Sequence, residues 1–446
     1  MIEDDIYRTS SQFRLWSYTE SSLKSLRTKT NHIASERVRA ALRRARERHA
    51  SSTPSATGTP QTGSDVEEKD IECLTPEEEL VLVRYYCEKT VELGETYRPP
   101  LPTNVRVSLP TTGFTQRLEP FFLRGQPKLT SITYQATAIQ YLRRFYLTNS
   151  PMTYHPKSIM ACALFLATKT DNYYMSLRQF AEGIPGDTTA DDVIAPEFLL
   201  MQGLRFTFDV RHPFRSLEGG VMELSAIAQG QAKPAPHLPH HTPESLKQGL
   251  LSIAPPPVPS TSITDRIGRA HGATRELLKS AAQMTDAYFL YTPSQIWLAA
   301  LLLADRPLAE FYLDTKLGGP IDPTAMETEP SNLQNPLYDL RTKLLQVLTD
   351  CGALLQSYTP LSSDPDQMKI LKRIAKKLYH CQNPEKVNLK RDSAVPRSTP
   401  AIDAGAVTSE SETERLAKKR KLEMEQKQRG AHDMFGPELV LDRTRH

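Results

Sequence analysis

Three observations predict an all-α fold: apolar residues recur at helical spacing, no stretch sustains strand-like alternation, and one fourteen-residue helical segment occurs twice. The first helix opens at Thr75-Pro76-Glu77-Glu78. Thr75 is the cap, Pro76 sits where a missing N–H costs nothing, and Glu78 can reach back to the cap backbone. Leu80, Val83, Cys87 and Val91 then fall on one face. A second stripe is Ala138, Tyr141, Leu142 and Phe145. Ile159 to Ala167 is apolar almost all round, as expected of a helix buried inside a bundle. Alanines 161, 163 and 167 would let its neighbours approach closely.

That buried segment is repeated. Tyr154–Ala167 and Tyr291–Ala304 match without a gap at seven of fourteen positions, 137 residues apart. Both copies carry proline in the first turn, and Thr292 with Gln295 adds a capping box to the second. Tyr, Pro and Ile in register go beyond what any two Ala/Leu-rich helices share, so two similar helical domains are predicted.

Two tracts read as ordered, 75–228 and 261–382. Ser51–Asp65 is rich in Ser, Thr, Pro and Gly and reads as a linker. Gln229–Ser260 holds Pro234, Pro236, Pro239, Pro243 and Pro255-Pro256-Pro257, and a loop is expected there. Residues 383–446 are polar and charged, the composition of a disordered tail. The whole-chain figures agree: 39% apolar residues and 34 prolines describe a core diluted by polar segments.

Several function classes are excluded or left without support. A net charge of +3 gives no argument for a nucleic-acid partner, and no apolar run is long enough for a membrane helix. Met1-Ile2-Glu3-Asp4-Asp5 lacks the basic-then-apolar order of a secretion signal. Five scattered cysteines without a C-x-x-C pair fit a reducing compartment better than a disulfide framework. Phosphate-loop, dinucleotide, nucleophile-elbow and protein-kinase motifs are absent. His237, His240 and His241 sit in the proline-rich segment without cysteine partners and read as a solvated loop. Asp191-Asp192 reads as a helix start. No catalytic residue, metal or cofactor is expected.

Two basic segments remain. Arg37, Arg39, Arg43, Arg44, Arg46 and Arg48 accompany an apolar stripe of Val38, Ala41, Leu42 and Ala45, the pattern of a docked helix with a charged outer face. Lys418-Lys419-Arg420-Lys421 matches the basic cluster of a nuclear import signal.

Three stretches together resemble the cyclin family, whose fold is two tandem five-helix domains. They are Arg143–Ser150 continuing through Met152 and Tyr154-His155-Pro156 to Leu166-Ala167-Thr168-Lys169, then Thr285–Ile296, and the N-terminal Ser10–Trp16. Within that family the likeness is to the fungal-type cyclin H group, regulatory subunits of the CDK-activating kinase of TFIIH. The resemblance implies an N-terminal arm with a basic helix and linker over 1–74, a first cyclin domain over 75–212 and a second over 213–360. A C-terminal helix over 361–382 and the tail over 383–446 would follow. It also implies a non-enzymatic activator, nuclear, whose partners are that kinase, a RING-finger assembly subunit and the TFIIH core. No direct nucleic-acid contact or membrane association is expected. The downstream roles would be phosphorylation of the RNA polymerase II C-terminal repeats in transcription initiation and of cell-cycle kinases. By motif, the family's kinase-binding Lys and Glu fall on Lys169 and Glu197, with Trp16 and Asp171 as further candidate contacts. Two competitors are another transcriptional cyclin, of Mediator or elongation type, and a TFIIB-like DNA-binding factor on the same fold. The first is disfavoured by Ser10–Trp16 and Thr292–Ile296, the second by the lack of cysteine pairs for a zinc ribbon.

The chain departs from the family pattern in three places. After Lys169 the usual acidic pair reads Asp171-Asn172. The proline-rich 229–260 interrupts the second domain between its first and second helices. Residues 107–135 lack a counterpart and break a helix that would otherwise read Val105-Arg106-Ala136. Valine codons start with GT and one glutamine codon ends with AG, so this block reads as a retained intron, with a tolerated surface loop as the alternative.

Overall fold

Among the described residues no strand occurs. In this computed structural model those residues are 7–52, 71–96, 129–171, 175–186, 188–238, 240–255, 262–318 and 336–384. An N-terminal arm comprises α1 (Ser11–Trp16) and the long α2 (Glu20–Ser52). A first repeat contains α3 (Pro76–Thr96), α4 (Leu129–Thr148), α5 (Pro156–Thr170), α6 (Leu177–Gly183), α7 (Ala190–Ile194) and α8 (Glu197–Gly203). The second contains α9 (Phe214–Ala228), α10 (Pro243–Ser252), α11 (Ile263–Lys279), α12 (Ala281–Met284), α13 (Ala287–Leu290), α14 (Pro293–Ala304), α15 (Arg306–Leu317) and α16 (Pro336–Gln356). After a 3-10 turn at Leu361–Ser363, α17 (Pro365–Gln382) returns to the first repeat.

Local chemistry sets the helix starts. Thr75 Oγ1 accepts from Glu78 N (3.2 Å) while Glu78 Oε2 accepts from Thr75 N (3.0 Å), the reciprocal box expected from the sequence. Thr292 and Gln295 form the same box at α14. The duplicated segments become the central helices α5 and α14. Ala163, Leu164 and Ala167 on α5 are fully buried, as are Ile296, Ala299 and Ala300 on α14. Close packing around them depends on glycine: a Cβ on Gly220 of α9 would meet the Trp297 ring at 2.4 Å.

The two central helices end differently. Past α14, Asp305 is buried and accepts two hydrogen bonds from Arg266 (2.6 and 2.7 Å), and it also caps α15 through Leu308 N. In α5 the corresponding residue, Thr168, is buried and donates to Phe165 O (2.7 Å), and the next residue, Lys169, is 42% exposed.

The stripe Ala138, Tyr141, Leu142 and Phe145 is fully buried in the first core. The basic helix α2 docks as expected, with Val38 and Leu42 packed against Leu82 of α3 and Leu371, Ile374 and Leu378 of α17. All five cysteines are free thiols.

Three sequence expectations are corrected. Leu80, expected on the buried face of α3, is 39% exposed, and Leu82, Val83 and Cys87 carry that face instead. The proline-rich 229–260 is not a loop throughout. Pro243 occupies the first turn of α10, where proline is tolerated, behind a Thr242–Ser245 box, and Leu246 and Leu250 enter the second core. The block 107–135 does not end as a foreign insertion, because Leu129–Gln135 forms the first turns of α4 and Tyr134 lies in the first core. Its remainder lies outside the described residues, as do most of the linker 53–70 and the tail beyond 384.

A buried polar layer joins arm and repeats. Arg143 on α4 donates to Met284 O (2.7 Å) and to Asp286 (2.5 Å), and Arg27 of α2 makes a two-bond pair with the same carboxylate (2.7 Å each). Burial pushes the Asp286 carboxyl upward, yet the Arg27 hydrogen bonds and the Arg143 charge more than offset it and hold the group below the usual range. The neighbouring Arg144 donates to Asp209 O (3.1 Å) and to Gln12 Oε1 (3.2 Å). Gln12 Oε1 also accepts from Arg211 N (2.6 Å), so α1 is tied to the connector between repeats. Burial lowers the Arg144 pKa to about 10.

Asp286→Ala should strip two guanidinium groups of a shared acceptor and cost about 3 kcal/mol in urea unfolding, because a buried charge is left uncompensated. A loss below about 1 kcal/mol, the range of exposed pairs, would show that the layer is not needed for stability.

Glu79 of α3 is buried and accepts a hydrogen bond from the Ser150 hydroxyl; burial pushes its pKa from 4.5 up to about 7. Between pH 4.5 and 7 the folded chain keeps a proton that the unfolded chain releases, so this group makes stability fall as pH rises through that window. Glu79→Gln should remove the fall. Relative to wild type, the variant should gain up to about 3 kcal/mol between acid and mildly alkaline pH in urea unfolding. Parallel profiles for the two proteins would refute it.

Candidate functional site

The open end of α5 meets the start of α8. Lys169, in the last turn of α5, and Glu197, the first residue of α8, are 28 apart in sequence and form an ion pair at 2.5 Å. Lys169 remains 42% exposed and its ammonium lies 4.4 Å from the centroid of the buried Phe165 ring. The lysine stem is thereby held by packing while the charged head stays in solvent. Neither member is consumed by the fold. One ammonium hydrogen goes to Glu197, and the group has further donors to offer.

Beside this pair lies an exposed aromatic couple that sequence reading missed. Phe198 and Phe206 are 61% and 56% exposed, with ring centroids 6.2 Å apart. No periodicity signals them, and only their exposure sets them apart. Arg205 and Phe206 both have φ of +53°, a left-handed conformation that costs a non-glycine residue about 1–3 kcal/mol. The turn is held by Phe206 N donating to Met201 O (3.0 Å) and by Trp16.

Trp16, expected as a candidate contact for a partner, is corrected here: it is 1% exposed and offers no side-chain surface. Its indole N–H donates to Thr207 Oγ1 (3.0 Å), and the guanidinium groups of Arg144 (5.1 Å) and Arg205 (5.2 Å) both lie over its ring. Trp16 therefore locks the strained turn that turns Phe206 outward.

Asp171 caps the C-terminus of α5, and its carboxylate faces inward to Thr137. A single donor order runs through the buried layer to reach it. Gln140 Nε2 donates to Gln283 Oε1 (2.9 Å), Gln283 Nε2 to Tyr288 Oη (2.6 Å), and Tyr288 Oη to His212 Nδ1 (3.0 Å). His212 Nε2 then donates to Thr137 Oγ1 (3.0 Å), and Thr137 Oγ1 to Asp171 Oδ2 (3.3 Å). Burial, aided by the Arg144 charge, lowers the His212 pKa to about 3, so the imidazole is neutral and can accept at one nitrogen while donating at the other. Burial pushes the Asp171 carboxyl up to about 6, and the Thr137 hydrogen bond opposes that rise.

Other sequence candidates do not join the site. His237 donates to Lys316 O (2.8 Å), and no group of three metal-ligating side chains occurs among the described residues. Asn172 and Lys418, Lys419, Arg420 and Lys421 lie outside the described residues.

Two helical repeats around a duplicated central helix, with one helix end left open beside exposed rings, define a docking scaffold. The cyclin N-terminal domain model matches residues 128–209 and the cyclin C-terminal domain model matches 212–356. The chain belongs to the cyclin family. It is 29% identical over 402 residues to Cyclin CCL1 of Saccharomyces cerevisiae, covering 86% of this chain and 82% of that protein. It is also 25% identical to Cyclin-H of Xenopus laevis, covering 71% of this chain and 75% of the relative. Among solved structures, that of the CAK complex from Chaetomium thermophilum bound to ATP-gamma-S contains a similar chain. The identity there is 29% and the TM-score 0.57, covering 91% of this chain and all of that one. The family match starts at residue 128, inside the block read from sequence as lacking a counterpart.

Proposed function

We propose that this chain is the regulatory subunit of a CDK-activating kinase of the TFIIH type. The observation that carries the reading is the Lys169–Glu197 pair, its lysine side chain 42% exposed and its glutamate 17%, flanked by Phe198 and Phe206, in a chain whose cyclin H-type relatives match it over most of its length. The pair sits on two rigid helix ends, so its charges are held in place before a partner arrives. An ammonium can donate to the carbonyls of a partner segment and a carboxylate can accept its N–H groups. The two rings offer apolar area to the side of a kinase helix.

The chain performs no chemistry in this reading. It binds the active conformation of the kinase better than the inactive one, and only that difference activates. Moving a kinase from 1% to 99% active takes about 5.5 kcal/mol of such preference. Trp16 contributes by positioning Phe206, and Asp171 by finishing α5 beneath Lys169. A RING-finger assembly subunit and the TFIIH core would complete the assembly. Residence in the nucleus, with Lys418, Lys419, Arg420 and Lys421 as the import cluster, would bring it to the RNA polymerase II C-terminal repeats and to cell-cycle kinases.

Co-expression with the CDK-activating kinase of the same organism, followed by pull-down, should recover a complex that phosphorylates a polymerase C-terminal repeat peptide faster than the kinase alone. No complex, or a complex without stimulation, would reject the function.

Lys169→Ala combined with Glu197→Ala should weaken kinase binding by about 2–4 kcal/mol, and Phe198→Ala by at least about 1 kcal/mol, measured by calorimetry on the folded variants. Unchanged affinity in both would move the docking face elsewhere on the fold.

A further inference from the structure

A cavity of about 230 Å³ lies between the repeats, walled by α2, α3, α4, the end of α16 and the turn at 284–286. Two positively charged side chains that line it are incompletely used. Arg84 Nε and Arg143 Nε are both buried with no hydrogen-bond partner among the described residues. Arg143 is 92% buried by its 8% exposure, and its two terminal nitrogens are spent on Met284 O and Asp286. Its Nε is the one guanidinium nitrogen without a partner among the described residues. A buried charged donor without an acceptor is unfavourable, so an acceptor brought from outside gains more here than on an open surface.

The lining selects the kind of acceptor. Arg27, Arg84 and Arg143 face Asp286 and Glu79, which leaves one positive charge in excess even with both carboxyls ionised. The rest of the wall is largely apolar, including Val83, Leu147 and Leu354. Leu80, the residue displaced from the first core, stands at this cavity with 39% of its surface exposed. A bare anion would satisfy the guanidinium groups and leave the apolar wall wet. A carboxylate carried on an aliphatic stem matches both.

We propose that this cavity is a binding site for an acidic side chain of a partner polypeptide. The carboxylate accepts from the guanidinium groups of Arg84 and Arg143, and its stem or an aliphatic neighbour covers Leu80 and Leu354. Lys169, Glu197, Phe198 and Phe206 do not line the cavity, so a polypeptide held here leaves the docking face free. The site does not depend on which kinase, if any, occupies that face.

The test follows the arginine Nε–H resonances of the full-length, isotope-labelled chain by NMR during titration with N-acetylglutamate amide. N-acetylglutamine amide serves as the neutral match and inorganic phosphate as the bare anion. The Arg84 and Arg143 signals should shift saturably with a Kd of about 1 mM, the affinity a ligand of this size reaches. The glutamine probe and phosphate should each bind at least about tenfold more weakly, the loss of one charge-assisted contact or of the apolar one. Arg84→Gln should abolish the Arg143 shift while the Arg266 Nε–H signal, buried in the second repeat, stays in place as a reporter of folding. No saturable shift, or equal response to the glutamine probe, would overturn the proposal. Phosphate binding as tightly as the glutamate probe would reduce the cavity to an anion site and overturn the polypeptide reading. If Arg84→Gln fails to fold, the comparison of the three probes on the wild-type chain decides alone.

Discussion

Two adjacent guanidinium groups, Arg143 and Arg144, hold this fold in register. Consecutive residues on a helix point about 100° apart, so one turn of α4 reaches two different elements at once. Arg143 grips the turn that begins the central part of the second repeat and shares Asp286 with Arg27 of the arm. Arg144 grips α1 through Gln12 and the connector through Asp209. Both charges are buried, and burial of an unpaired charge is far costlier than burial of an apolar group. Apolar packing inside each repeat could tolerate sliding between them. Fixed acceptors for two buried cations cannot, so the polar layer converts two helical bundles into one defined surface.

That constraint explains why the arm belongs to the candidate site although its Trp16 is buried. Trp16 touches both Arg144, which belongs to the polar layer, and Arg205, which belongs to the strained turn. The turn stores unfavourable backbone conformation at two residues. Phe206 stays outward because Trp16 and Thr207 close the turn from beneath. An aromatic pair left in water gives up burial energy, and the structure around it is arranged to maintain that exposure.

Much of this was legible from residues. The capping boxes at Thr75 and Thr292, the buried stripe on α4 and the duplicated central helix all follow from local hydrogen bonding and period, which the tertiary structure leaves intact. The stretches that carried the family likeness, Arg143–Arg144, Thr285–Asp286 and Ser10–Trp16, prove to be the ones that meet in the polar layer. Three failures have physical causes. Leu80 obeys the helical period, but α3 faces a cavity there and not a core. Pro243 was counted as a breaker when its position at a helix start made it neutral. Trp16 is a candidate contact only by the family resemblance, whereas burial is decided by neighbours distant in sequence, here Thr207 and the guanidinium groups of Arg144 and Arg205. Phe198 and Phe206 carry no sequence signal, because exposure is a property of what fails to pack against a residue.

The unequal ends of α5 and α14 have a consequence for stoichiometry. Duplication copied the helix, its proline start and its buried length, yet the two copies finish in opposite chemical states. In the second, Asp305 is occupied by Arg266 and by the cap of the next helix, so its end is sealed. In the first, Lys169 pairs with Glu197 and lies over the Phe165 ring. A scaffold with twofold internal likeness therefore presents one such pair between helices per chain: Arg306, the residue in register with Lys169, pairs with Glu310 one turn along its own helix.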